Sequence, residues 1–213
     1  MTLQTLSAVN SDEATTVLCE AFADYPVMRY VLGASPDYST RLHTLVGFFV
    51  AARVLRHDLL LGIRGPAGAL VAVALVTLPD NPDPPTALAE MRKSVWRRLG
   101  DEARERYEAF GAATRTFDVV ERHHHLNMIG VRPSELGRGH GRDLLDHVHR
   151  VAADDPASAG VSLTTEVQRN IALYERFGYR EIGHAVVVPE LETWGMFRAR
   201  EGVDPTLHHG PTA

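Results

Sequence analysis

Three glycines, Gly137, Gly139 and Gly141, alternate with Arg138 and His140 in the segment NMIGVRPSELGRGHGRDLLDHVHRV. An apolar strand runs into Val131, Pro133 stops it, and the helix that follows repeats Leu144, Leu145, Val148, Val151 and Ala152 on one face. Glycine lets a backbone turn sharply and approach a ligand, while the first turn of a helix offers unpaired N–H groups at a positive dipole end. That chemistry suits a pyrophosphate. Spacing separates the phosphate loops. A P-loop needs Gly-Lys-Ser/Thr where Gly141, Arg142 and Asp143 stand, and a dinucleotide fingerprint from Gly137 needs glycine or alanine where Arg142 stands. A glycine-rich connection that binds nothing stays open beside the pyrophosphate reading.

A second constellation follows about thirty residues on. In RNIALYERFGY, residues 169–179, Asn170 and Tyr174 are four apart and share one face of a short helix, and Gly178 stands where a left-handed cap would end it. Tyr174 alone would read better as a core tyrosine with a satisfied hydroxyl.

The two segments, in this order and between strands, resemble motifs A and B of the GCN5-related N-acetyltransferases (GNAT). The similarity narrows with AFADYPVMRYVLG, LTTEVQRNIALYERFGY and VVVPELETWGMFR, which look like the puromycin N-acetyltransferase type of small-molecule enzyme. It covers most of the chain and is weakest between residues 34 and 120. The resemblance implies an acetyl-CoA-dependent N-acetyltransferase acting on a small primary amine, without a metal. The strand at Ile129, Gly130 and Val131 would bind the pantetheine arm and the acetyl carbonyl. Gly137, Arg138, Gly139, His140, Gly141 and Arg142 would hold the pyrophosphate, Asn170 would contact the cofactor, and Tyr174 would also lie at the thioester and protonate the leaving thiolate. Departures stand at Leu136, where the family usually has Gln or Arg, at Val167, where many members have Asn, and at Thr164, where many have Glu. Two alternatives remain: an acyl-CoA-binding module that has lost turnover, and a protein-modifying acetyltransferase.

Acetyl transfer to an amine needs a held thioester, a neutral amine, stabilisation of the carbonyl oxygen and a proton for the thiolate. An alkyl amine is mostly protonated near neutrality, so a base is required. Glu166 lies two residues along a strand from Thr164 and faces the same way, which makes it the candidate substitute for the missing carboxylate, or else a solvated strand-end charge. His125 and Asn127, on the preceding strand, are further candidates at the acceptor. Asp24, Tyr25 and Tyr30 flank Pro26 at a break between two expected helices, where side chains can enter a cleft. A capping Asp24 and two packing tyrosines explain them equally. In the run His123, His124, His125 at most two side chains converge on a strand, and no Cys/His spacing completes a metal site. Cys19 reads as core.

The elements that must position these groups read as follows. A short strand at 3–6 precedes a helix from Asn10, with Glu13 in a capping-box position, to about Ala23. A second helix opens at Pro26 and ends near Gly33; an amphipathic one spans about 37–56, with Leu42, Leu45, Val46, Phe49 and Val50 inward. A hairpin, 58–63 and 69–78, turns at GPAG. The stretch PDNPDPP, 79–85, is a loop before charged helical sequence from about 86 to 121, divided at Gly100, whose RRLGDEARERYEAF reads as a solvated face. Strands at 123–131, 161–166, 180–188 and 192–198 alternate with helices at 139–153 and 170–177. The pattern predicts an α/β (α+β) domain with a mixed sheet and a loose tail at 201–213, and the resemblance implies a single GNAT-fold domain over 1–200 whose mixed, mostly antiparallel sheet is flanked by helices. Residues 24–57 and 79–121 are expected to line the acceptor pocket.

The 213 residues, 45% hydrophobic and 23% charged, make a globular composition that excludes fibrous and low-complexity classes. A net charge of −5 brings no overall attraction to nucleic acid or an anionic membrane. One cysteine and an N-terminus without an apolar leader lean to the cytoplasm. The expected assembly is a monomer or homodimer.

Overall fold

The computed structural model describes residues 2–79, 84–202 and 206–207. Seven strands form one sheet in the order β1-β2-β3-β4-β5-β7-β6. They are β1 (Thr2–Thr5), β2 (Leu59–Arg64), β3 (Leu70–Thr77), β4 (His124–Val131), β5 (Gly160–Thr165), β6 (Arg180–Val188) and β7 (Leu191–Ala199). Every neighbouring pair is antiparallel except β4 and β5, giving the mixed sheet that the pattern predicts and the mostly antiparallel pairing that the resemblance implies. The helices are α1 (Ser11–Ala21), α2 (Pro26–Leu32), α3 (Tyr38–Leu55), α4 (Thr86–Leu99), α5 (Asp101–Thr114), α6 (His140–Asp154) and α7 (Arg169–Glu175).

Both faces of the sheet are covered, because strand residues alternate between two cores. Leu60, Val73, Leu75 and Met128 pack under α1 and α3, whereas Leu61, Ala72, Ala74, Val76 and Leu126 pack under α6 with Leu144, Leu145 and Val148. The side chain missing at Gly130 is what lets α1 cross β4. A Cβ there would stand 2.8 Å from the Cβ of Ala21 and 3.1 Å from Leu18.

Three expectations about local structure change. Glu13 does not close a capping box. Its carboxylate accepts the Leu70 amide at 2.7 Å and pairs with Arg64 at 3.0 Å, fastening α1 to the sheet instead. The charged helical region stops at Thr114, short of residue 121, where a single 3-10 turn over Arg115–Phe117 carries Phe117 into the core. The PDNPDPP loop falls largely at 80–83, and the tail largely at 203–205 and 208–213, outside the described residues. Within the tail, Leu207 bridges to Val119, and the Thr206 amide donates to the Glu121 carboxylate at 2.9 Å.

Candidate active site

The site begins where the parallel pair comes apart. β4 and β5 are in register only at His124 with Val161 and His125 with Ser162, although both strands run on. The register with β3 passes from Leu126 straight to Met128, so Asn127 is a bulge residue. A bulge bends its strand, and from there the β5-facing edge of β4 has no strand partner. The gap joins a groove of about 1000 Å³ on the α6 side to a cavity of about 460 Å³ on the α1 and α3 side. Phe22, Tyr25, Ile129, Asn170 and Tyr174 line both.

Ile129, Gly130, Val131, Gly137, Gly139, His140, Gly141 and Arg142 line the groove. Gly137 (φ 77°) and Gly139 (φ 89°) are left-handed, the region that favours glycine, and Gly139 caps α6. The amides of the first α6 turn are left without helical partners. Two expected contacts differ. Arg138 lies outside the groove lining and pairs with Glu135 at 3.2 Å. The His140 ring is buried, its Nε2 3.6 Å from Glu135, so what this residue can offer a phosphate is its amide. Arg176, which the sequence reading passed over, lines the groove as a second cation beside Arg142. Leu136, 66% exposed, offers no polar side chain.

The inner cavity collects side chains from far along the chain: Phe22 and Tyr25 beside α1, Phe49 and Arg53 from α3, Tyr107 and Phe110 from α5, His125 and Asn127 from β4, Glu166 after β5. The stretches 24–57 and 79–121 both contribute to the lining of this cavity. Ser162, Leu163, Thr164 and Glu166 all line it, and Ser162, Thr164 and Glu166 share one strand parity. Glu166 is buried and accepts a 2.8 Å hydrogen bond from the Thr193 hydroxyl. Burial pushes its carboxyl up to about 7, against the opposing effect of hydroxyls on Thr193, Tyr25 and Thr164. Tyr25 lies 3.2 Å from the Thr165 hydroxyl and accepts the Glu166 amide at 3.3 Å; its own phenol is pushed up by burial. Asn170 donates to the same Thr165 hydroxyl at 3.2 Å. Tyr174, buried at the junction, is pushed up to about 12 by burial and then by Glu166. His125 is held by the Ser162 hydroxyl at 2.7 Å, and burial lowers it to about 4.

The geometry does not bring Asp24 or Tyr30 to the cavity. Asp24 is 87% exposed and pairs with Arg29 at 2.5 Å, because the turn before α2 points it outward. Tyr30 packs against the core between the helices. Conversely, the segment read as a solvated face supplies part of the wall. Tyr107 and Phe110 sit three apart on α5, with Thr114 one turn further, and Phe49 lies over Tyr107 with ring centroids 6.1 Å apart. That i, i+3, i+7 spacing is the signal that abundant flanking charge hid. The described residues hold no group of three or more His, Cys, Asp or Glu arranged for a metal, and no helix long and apolar enough to cross a membrane. Burial raises the Cys19 thiol to about 11, an inert environment.

Residues 97–181 match the family model of the acetyltransferase (GNAT) domain, an acyltransferase family. No curated protein matches the chain in sequence. Among solved structures, a histone acetyltransferase HPA2 and related acetyltransferase from Corynebacterium glutamicum superposes with a TM-score of 0.68 at 22% identity, covering 98% of each chain. A polyamine N-acetyltransferase from Drosophila melanogaster gives 0.56 at 18%, covering 92% of this chain and 97% of its own. The ribosomal-protein-S18-alanine N-acetyltransferase of Escherichia coli gives 0.52 at 16%, covering 94% and 96%. The architecture is the GNAT fold, and the matched segment contains the splayed strand, the glycine turn and Tyr174.

Proposed function

We propose that this protein transfers an acetyl group from acetyl-CoA directly to a primary amine of a small molecule seated in the inner cavity. The observation that carries the proposal is the meeting of groove and cavity at Tyr174, with Glu166 on the cavity side. The groove fits a pantetheine diphosphate: an unpaired strand edge for an amide-bearing arm, helix-start amides for the pyrophosphate, and Arg142 and Arg176 for its charge. Glu166, poised near neutrality, takes the proton that the amine nitrogen must lose. The neutral nitrogen forms its bond to the acetyl carbon as the carbon–sulfur bond breaks, Tyr174 gives its phenolic proton to the departing thiolate, and the phenolate recovers a proton from the newly acylated nitrogen. Tyr25 holds the Glu166 segment in place through the Thr165 hydroxyl and the Glu166 amide.

A cavity walled by aromatic rings supports a small acceptor over a protein terminus. The resemblance to the puromycin N-acetyltransferase type makes aminonucleosides the first acceptors to screen, and a single half-buried cysteine suits the cytoplasm. Acetyl-CoA turnover is measured with an amine panel on the parent and on Tyr174→Phe. Tyr174-dependent release of CoA is expected. Acetyl-CoA binding without release for any amine would leave an acyl-CoA-binding module, and acceptance of peptides alone would leave a protein-modifying enzyme.

A further inference from the structure

Two buried or largely buried charges face the inner cavity, and only one belongs to the chemistry just described. Glu166 stands at the Tyr174 end. Arg53, its side chain 17% exposed, reaches in from α3 and is the one Lys or Arg among the described residues that line the cavity. Asp118 also lines it but is exposed.

Arg53 is held rather than loose. Its Nε faces Asp58 at 3.3 Å, and its Nη1 donates to Asn127 Oδ1 at 2.9 Å and to the Thr77 hydroxyl. No hydrogen bond engages its Nη2 among the described residues. Arg56 shares the same carboxylate at 3.7 Å, so the cluster of two guanidiniums and one Asp carries one net positive charge beside the cavity. Thr77 is the register partner of His125, and His125 that of Ser162, so Arg53 is tethered at the Ser162 end of β5. Four residues along that strand, roughly 13 Å, separate Ser162 from Glu166. Between the two ends the walls are Phe22, Phe49, Tyr107, Phe110 and Met128.

The geometry points to Arg53 as the residue that selects the acceptor. Resting on the acetyl transfer proposed above, the acceptor is an amine with an apolar or aromatic body and an anionic group at the end remote from its nitrogen. A fixed guanidinium with spare donors binds a carboxylate by charge-assisted hydrogen bonds, and the low-dielectric walls strengthen them. A second cation on the acceptor would meet the net positive cluster, so diamines and guanidino-amines are disfavoured.

The test compares para-(aminoethyl)phenylpropionate with its methyl ester and with agmatine, on the parent and on Arg53→Gln and Arg53→Lys. In the parent, kcat/KM for the carboxylate is expected to exceed that of the ester by ~10-fold or more, through KM, with agmatine poorest. Arg53→Gln should bring the carboxylate-to-ester ratio close to one, and Arg53→Lys should keep part of it. Should Arg53→Gln fail to fold, the parent's own ratio still decides. Equal use of carboxylate and ester by the parent, or a preference for agmatine, overturns the assignment while leaving acetyl transfer standing. Acetylation of none of the three or of the wider amine panel overturns acetyl transfer, and the acceptor assignment with it.

Discussion

The hydroxyl of Thr193 donates a 2.8 Å hydrogen bond to the buried carboxylate of Glu166, joining the first part of β7 to the residue just beyond β5. This contact favours the ionised carboxylate, while burial opposes it and wins, leaving the group near 7. If Glu166 takes the amine's proton, kcat/KM should fall as pH drops below about 7, where the base becomes protonated. Thr193→Val removes a contact that favours the charged form, so the acidic limb should move to higher pH. A pH–rate profile identical in parent and variant would remove Glu166 from the proton path.

The same shift makes a stability prediction with a definite sign. The folded-state value lies above the ordinary 4.5, so the native protein holds a proton that the unfolded chain releases. The stability this contributes is fully present below the ordinary value and is lost as pH rises through about 7. Glu166→Gln keeps a neutral group there, so its melting temperature relative to the parent should be higher at about pH 8 than at about pH 5. Thermal melts of both proteins at the two pH values check this, and a constant difference refutes it.

Tyr174→Phe should lower kcat by ~10²–10⁴-fold, the usual worth of a general acid, with acetyl-CoA affinity little changed. A phenol pushed up to about 12 stays protonated throughout the neutral range, so its loss should leave the acidic limb in place. Stopped-flow turnover beside calorimetric binding separates the two effects, and a variant as fast as the parent leaves water as the acid.

Much of this site was legible where one local rule decides. Period-two alternation placed Glu166 on the Thr164 face, and glycine's left-handed freedom marked Gly137, Gly139 and Gly178. Asp24 was not legible, because an Asp two residues before Pro26 points either inward or out according to a partner, and Arg29 takes it outward. Arg138 failed likewise, since Glu135 competes for it. Arg53 left no local trace. Its partners Asp58, Thr77 and Asn127 are contributed by the turn between α3 and β2, the end of β3 and the β4 bulge, and no window of sequence holds all three together.

Gly139→Val tests the phosphate turn. Nothing lies within 4 Å of a Cβ at this position, so space is not what excludes a side chain. The left-handed backbone is, at a cost of about 1–2 kcal/mol for an L-residue. The variant should stay folded with a slightly lower melting temperature yet lose most acetyl-CoA affinity by calorimetry. Parental affinity in the folded variant would refute the turn's role.

Phe117 rests on two glycines of neighbouring strands, Gly183 of β6 and Gly195 of β7, which are register partners. A Cβ on Gly195 would stand 2.6 Å from the Cβ of Phe117, and one on Gly183 would stand 2.2 Å from its ring. Phe117 lines the inner cavity, so the missing side chains of the sheet set how far this wall retreats. Gly195→Ala should push the ring toward the acceptor and destabilise the fold by about 1–3 kcal/mol, the usual cost of overpacking. The Michaelis constant for the amine should rise, while acetyl-CoA affinity, which the proposed function assigns to the other groove, should hold. Trimming the ring in the double variant Gly195→Ala with Phe117→Leu should recover both stability and amine affinity beyond the sum of the single effects. Additive losses in that cycle would mean that Phe117 and Gly195 do not form the wall together.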